Sequence, residues 1–148
     1  MADVNSYLSG YADGEGCFCV SFSKSQRHNL GREARPSFSV SQNSDRMEIL
    51  ELFKKQFGCG YIRPDRSDKT FKYEIRSIQH LIKKVIPHFE AYPLLSSKKA
   101  DFKKFAEICR MISRKEHLKS RGFNKIVDLA FEMNVSGKRK YSKSEMKI

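Results

Sequence analysis

Asp13 and Glu15 alternate with glycines in the stretch YLSGYADGEGCF, residues 7–18, and that arrangement could do chemistry. Leu8, Tyr11 and Ala12 give packing positions for a short helix, with the small Ser9 and Gly10 beside them, so both acids fall at its C-terminal end. That end is the negative pole of the helix dipole and carries carbonyls without intrahelical partners, which disfavours anions unless a cation compensates. Gly14 and Gly16 let the chain leave the helix in conformations other residues resist, so that a carboxylate and a free carbonyl can point the same way. Hard divalent ions such as magnesium take oxygen ligands of this kind, keep several waters and are completed by substrate phosphate oxygens. The same four residues also suit an ordinary Asp-Gly turn into a strand, and the motif alone leaves both readings open.

The elements that must position these acids follow from periodicity. CFCVSFSKS, Cys17 to Ser25, alternates with period two, Phe18, Val20 and Phe22 on one face and Cys19, Ser21 and Ser23 on the other. After a polar loop, Gln26 to Arg35, Pro36 to Gln42 alternates again, Phe38 and Val40 opposing Ser37, Ser39 and Ser41. Ile49, Leu50, Phe53 and Phe57 then recur at helical spacing up to Gly58, with Asn43 or Ser44 as the cap. A second strand pair sets Ile62 against Tyr61 and Arg63, and Phe71, Tyr73 and Ile75 against Lys72, Glu74 and Arg76; Pro64 to Lys69 reads as the loop between. Helical patterns follow over Ile78 to Val85, closed by Pro87, then Phe102 to Ile112 and Phe123 to Met133. Sequential hairpins with segregated helices define an α+β fold, αββαββα(α), with an antiparallel sheet whose one face carries the helices and whose other face is wet. Residues 1–148 read as a single domain, with 137–148 as a basic tail.

Charge narrows the partner. Lysine and arginine total 29 against 17 acids, a formal charge of +12 and a pI near 9.7, which points to a polyanion, nucleic acid ahead of an anionic membrane surface. The sequence has no long apolar run, and MADVNSYLSG lacks the pattern of a signal peptide, so no membrane partner and an intracellular location are expected. Cys17, Cys19, Cys59 and Cys109 show no C-x-x-C spacing, and His28, His80, His88 and His117 are scattered singly, so the thiols read as reduced and not as zinc ligands. The wet sheet face is rich in serine and basic residues: Ser21, Ser23, Ser37, Ser39, Arg63, Lys72, Glu74 and Arg76. Arg27, Arg32, Arg35, Arg66 and Lys69 sit near the hairpin tips, and the tail adds Lys138, Arg139, Lys140, Lys143 and Lys147 as phosphate contacts or as a solvated run.

LSGYADGEG, residues 8–16, resembles the signature of the LAGLIDADG homing endonucleases, a helix of small and apolar residues ending in an acidic metal ligand. SFSVSQNSDRMEILELFKKQFGCGYI, YPLLSSKKADF and HLKSRGFNKIVDLAFEMN resemble further stretches of that family in the same order, so the likeness spans most of the chain. It implies a saddle-like sheet laid in the major groove of double-stranded DNA. Residue by residue, it implies that Glu15, with the carbonyl of Gly14, holds the metal, that Gln42 orders water near the scissile phosphate, and that Arg46 lies beside it. Lys98 matches the active-site lysine, with Lys99 or Ser96 as alternatives. Glutamate replaces the commoner aspartate and lengthens the ligand by one methylene.

One motif is present, and the resemblance implies a homodimer packed through Leu8, Ser9, Gly10, Tyr11 and Ala12, cutting both strands of a long pseudo-palindromic site. It also implies magnesium or manganese as cofactor, calcium supporting binding without cleavage, no small-molecule cofactor, and coding within an intron or intein in a bacterium or organelle. The competing readings are a non-cleaving DNA-binding regulator, an RNA-splicing maturase of the same fold, or an RNA-binding sheet; the last is weakened because Phe18, Phe22 and Phe71 fall on the apolar face.

Overall fold

In the computed structural model, which describes residues 3–65, 69–134 and 139–148, the first helix (α1, Val4–Glu15) begins where Asp3 accepts the backbone N–H groups of Asn5 and Ser6. Its last turn holds Asp13, Gly14 and Glu15. The glycines do not act through unusual dihedrals: Gly14 is helical, and Gly16 is extended at φ −83°, ψ 163°. What Gly16 supplies is space, because a Cβ there would stand 2.8 Å from the Ala12 carbonyl oxygen.

Strands β1 (Gly16–Lys24) and β2 (Arg32–Gln42) lead through a 3₁₀ turn, Ser44–Arg46, to α2 (Met47–Phe57), and β3 (Tyr61–Asp65) and β4 (Thr70–Ile75) complete a sheet of order β1-β2-β4-β3. The first connection is shorter than Gln26 to Arg35. Gly31, at φ +71°, adopts the left-handed turn that lets Ser25 donate to its carbonyl, and the strand resumes at Arg32, so Arg35 lies on a strand. Helices α3 (Ile78–His80), α4 (Ile86–Ala91), α5 (Lys98–Ser113), α6 (Ser120–Phe131) and α7 (Lys143–Met146) follow. Pro87 does not close the helix before it. A π turn over Leu81–Val85 widens the ladder, with Ile86 N–H reaching back to Leu81 O, so the chain stays helical past the proline to Ala91.

The chain divides into two compact units, Met1–Cys17 with Ser37–Lys99, and Phe18–Pro36 with Ala100–Ile148. In the first, the register Phe38↔Ile75 and Val40↔Tyr73↔Ile62 puts the apolar side chains on one face, where Phe53 and Phe57 of α2 and Phe89 of α4 pack against them. Ser39↔Glu74↔Tyr61 and Ser41↔Lys72↔Arg63 take the other face.

In the second unit Phe18 packs on Phe102 and Phe105 of α5, and Phe22 on Phe123 and Phe131 of α6. The C-terminal segment is not a solvated tail. Met146 is fully buried, a capping box at Ser142 starts α7, and Lys143 and Lys147 both pair with Asp128. Asn124 grips the last residue twice, its amide donating to Ile148 O at 2.9 Å and its carbonyl accepting from Ile148 N at 2.8 Å. Four free cysteines are present, and no helix of the described residues is long and apolar enough to cross a membrane.

Candidate active site

The two acids of α1 have different surroundings. Asp13 turns to the segment before α5: its carboxylate accepts the backbone N–H groups of Leu95 and Ser96, each at 3.0 Å, and the Ser96 hydroxyl. Burial opposes its charge, but those hydrogen bonds and the nearby Lys98 cation outweigh it and hold the Asp13 carboxyl below the ordinary aspartate range. Glu15 is exposed, and no ion pair or hydrogen bond holds its side chain among the described residues.

The cation that a negative helix end requires is Lys98. Its ammonium donates to Ala12 O at 3.1 Å and to Gly16 O, so the first side chain of α5 closes over the carbonyls that flank Glu15. Ser96 fixes this arrangement, its hydroxyl accepting the Lys98 N–H at 3.2 Å while donating to Asp13. Of the alternatives left open by the sequence, Lys98 is the side chain placed on the helix end; Ser96 is the link between Asp13 and Lys98, and Lys99 is exposed.

Gln42, the last residue of β2, donates its amide to the Tyr11 hydroxyl, and its carbonyl accepts the N–H of Asn43 at 3.3 Å. Arg46 is exposed, makes no ion pair among the described residues, and lines one cleft with Tyr7 and Tyr11. Tyr11 is raised above the ordinary phenol range, by burial first and then by the Glu15 charge. Glu15, Tyr11, Gln42, Arg46 and Lys98 therefore belong to one region of one unit. Tyr11 was missed as a polar participant because its place on an apolar helix suggested packing alone.

Oxygen donors at this end of α1 are the Glu15 carboxylate and the Gly14 carbonyl, which the helix leaves without an intrahelical partner. They fit a hard cation and not zinc. No group of three metal-ligating side chains occurs among the described residues.

Several expected surface residues lie elsewhere than supposed. Leu8, Ser9 and Ala12 are buried in their own unit, Ser9 donating to Tyr92 O at 2.6 Å and meeting His88 Nε2 at 3.0 Å, so they are not available to a second helix. The exposed stripe of α1 is Tyr7, Gly10 and Gly14, with Tyr11 half-buried beside it. Arg139 is not a free phosphate contact: it donates to Val20 O and Ala130 O, each at 2.7 Å, and its guanidinium lies 4.6 Å from the Phe131 ring centroid. Lys140 is exposed beside Tyr141, and Lys138 and Arg66 lie outside the described residues.

On the wet face of the first unit Glu74 is only 4% exposed. It accepts from Tyr61 Oη at 2.9 Å, Arg76 Nε at 3.0 Å and Arg63 Nε at 3.4 Å. Burial opposes its charge, but the Tyr61 hydrogen bond and the two guanidinium groups hold its carboxyl low. Glu74 is thus a hub under the arginines, not an outward-facing base contact. Lys72 pairs with Asp65 at 3.5 Å, Ser39 is buried next to Glu74, and Ser37 is half-buried. In the second unit Ser21 is exposed with its hydroxyl 3.4 Å from Arg35 O, Ser23 is half-buried and Arg35 is exposed.

The chain thus joins a helix ending in an unpaired acid to an α+β fold of order αββαββ with a four-stranded antiparallel sheet. The chain belongs to the LAGLIDADG endonuclease family, whose profile matches residues 8–109. It is 35% identical over 89% of its length to a probable intron-encoded endonuclease of Neurospora crassa, but it spans only 25% of that relative. Among solved structures it is similar to the homing endonuclease I-TnaI, with a TM-score of 0.85 and 38% identity over 90% of this chain and 89% of that one. It is also similar to I-SmaMI bound to an uncleaved DNA target in the presence of calcium ions, with a TM-score of 0.85 and 30% identity over 95% of this chain and 47% of that one.

Proposed function

We propose that the chain is a site-specific homing DNA endonuclease that works as a homodimer, binds a long, roughly palindromic duplex site through its sheet and hydrolyses both strands with a divalent metal. The observation that carries this reading is Glu15: an exposed, unpartnered carboxylate at a helix end whose carbonyls Lys98 already neutralises. The Glu15 carboxylate and the Gly14 carbonyl would hold the metal together with phosphate oxygens, water and Glu15 of a second copy. A Cβ at Gly10 or Gly14 would meet nothing within 4 Å in this chain. Their lack of side chains therefore serves an approach from outside, and Tyr7, Gly10 and Gly14 form the face for a second α1.

A divalent metal held there would supply Lewis-acid activation of the phosphate and of the attacking water. Gln42 orients that water, and the Arg46 guanidinium and Lys98 ammonium offset charge developing on the phosphorus oxygens. Arg63 and Arg76 read guanines in the major groove.

The test incubates the protein and its Glu15→Gln variant with a randomised plasmid library, in magnesium and in calcium, and sequences the ends. Discrete double-strand breaks that need magnesium and vanish in the variant are expected. Salt-sensitive binding without breaks would overturn the nuclease and leave a regulator or maturase. Gly10→Arg should sediment as a folded monomer; a dimer that survives it would overturn the α1 interface.

A further inference from the structure

We infer that Tyr11 is a positioning residue for the reaction: its hydroxyl sets the Gln42 amide in the one orientation that presents it to the attacking water. The inference rests on the nuclease reading above and adds to it a residue that the helix motif itself does not require to be polar.

Gln42 ends β2 opposite Phe71, and the sheet fixes its backbone but not its side-chain amide, which can rotate by half a turn and exchange donor for acceptor. Two contacts select one rotamer. Nε2 donates to the Tyr11 hydroxyl, and Oε1 accepts from Asn43 N. Among the described residues Tyr11 is the one side chain hydrogen-bonded to this amide. The phenol is itself well held, with its ring edge-on to Phe53 at 6.1 Å and tilted against Tyr7 at 6.3 Å. A hydroxyl that accepts from an amide must send its own proton elsewhere. Tyr11 and Glu15 are four residues apart on α1, a spacing that places them on one side of the helix, and the hydroxyl lies within the electrostatic reach of both Glu15 and Arg46. A phenol is protonated at neutral pH in any case, and burial, with the Glu15 charge, raises this one further. The relay therefore runs from the Gln42 amide to the Tyr11 oxygen, which keeps its own proton to donate.

Tyr11→Phe keeps the ring and its packing and removes the relay. Single-turnover cleavage of the selected target in magnesium should fall about tenfold, equivalent to ~1.4 kcal/mol at the transition state. DNA affinity in calcium and the melting temperature should hold within error. Gln42→Ala should lose at least as much, and Tyr11→Phe added to Gln42→Ala should cost no more than about twofold further. The side-chain amide signals of Gln42 in a ¹H–¹⁵N spectrum, identified by their loss in Gln42→Ala, should shift in Tyr11→Phe. Cleavage unchanged in Tyr11→Phe while Gln42→Ala is impaired overturns the proposal and leaves the nuclease reading intact. Full additivity of the two changes overturns it as well. A wild-type chain that cuts nothing in the library overturns both.

Discussion

Replacing Glu74 with glutamine separates two ways in which an acid on the wet face of the sheet can act if that face binds DNA as proposed. If Glu74 is the hub the structure describes, the substitution removes the charge that holds Arg63 and Arg76 while keeping an acceptor for Tyr61. The folding cost is modest. The Arg63 and Arg76 side chains are 38% and 53% exposed, so solvent screening limits each ion pair to at most about 1 kcal/mol. Turning the Tyr61 bond from a charged to a neutral acceptor costs roughly another 1 kcal/mol. The larger effect is on recognition. A well-held bidentate arginine discriminates its guanine by about 1–3 kcal/mol, roughly 5- to 150-fold, and two arginines released from their anchor lose much of that at two base pairs. General affinity should rise at the same time, because two cations are freed and the surface gains one positive charge. The assay is binding to a set of targets carrying every single-base substitution, at two salt concentrations. Relaxed preference at two positions with a steeper salt dependence supports the hub. Relaxation at a single cytosine, with both guanine preferences intact, would refute it and make Glu74 a base contact in its own right. Because the Glu74 carboxyl is held low, its contribution is complete above the ordinary glutamate pKa and is lost as pH falls through the depressed value.

Gly122→Ala should destabilise the protein by about 3 kcal/mol in urea melts, because its Cβ would stand 2.0 Å from the Glu116 carbonyl oxygen and backbone would have to move. Met146→Ala should cost about 2–3 kcal/mol in the same assay, since the side chain is fully buried; no change would return the C-terminal segment to the status of a solvated tail. Burial, against an opposing pull from Asp3, pushes His88 down to about 4, so its neutral form is the folded one. Stability from this group is complete above pH ~6.5 and is lost as pH falls toward 4, by at most about 3 kcal/mol, and the difference between wild type and His88→Gln should disappear over that window.

The strands and α2 were legible because each has one dominant face, and period two or 3.6 then states which side chains are inside. The order of elements and the acid at the end of α1 could be read for the same reason. α1 itself could not be resolved into faces. Val4, Tyr7, Leu8, Tyr11 and Ala12 spread apolar surface around most of its circumference, so nothing local says that Leu8 and Ala12 turn inward while Tyr7 and Gly10 turn out. Arg139 and Lys140 count equally in a sum of charges, yet the planar guanidinium of Arg139 donates to two carbonyls while its face lies over Phe131, and Lys140 stays exposed. Glu74 needed the strand register. Once Tyr61 is opposite Glu74 and Arg63 is one step along, the acid is enclosed by donors, which no reading of one strand alone contains.

The divergence of Asp13 and Glu15 follows from helix geometry. Residues two apart on an α-helix are rotated by about 200°, so two carboxylates at that spacing cannot share an environment. The one facing the segment before α5 meets two backbone N–H groups and a hydroxyl and stays ionised; the other faces outward and keeps all its oxygens available. The inward acid is what places Lys98, through Ser96, against the carbonyls at the end of α1. A single acid at this helix end would have to anchor the following helix or offer oxygens to a cation, because the hydrogen bonds that anchor would occupy the lone pairs that coordinate. Two acids with a glycine between them divide the surroundings: Asp13 anchors the segment before α5, and Glu15 keeps the free oxygens that the proposed metal site requires.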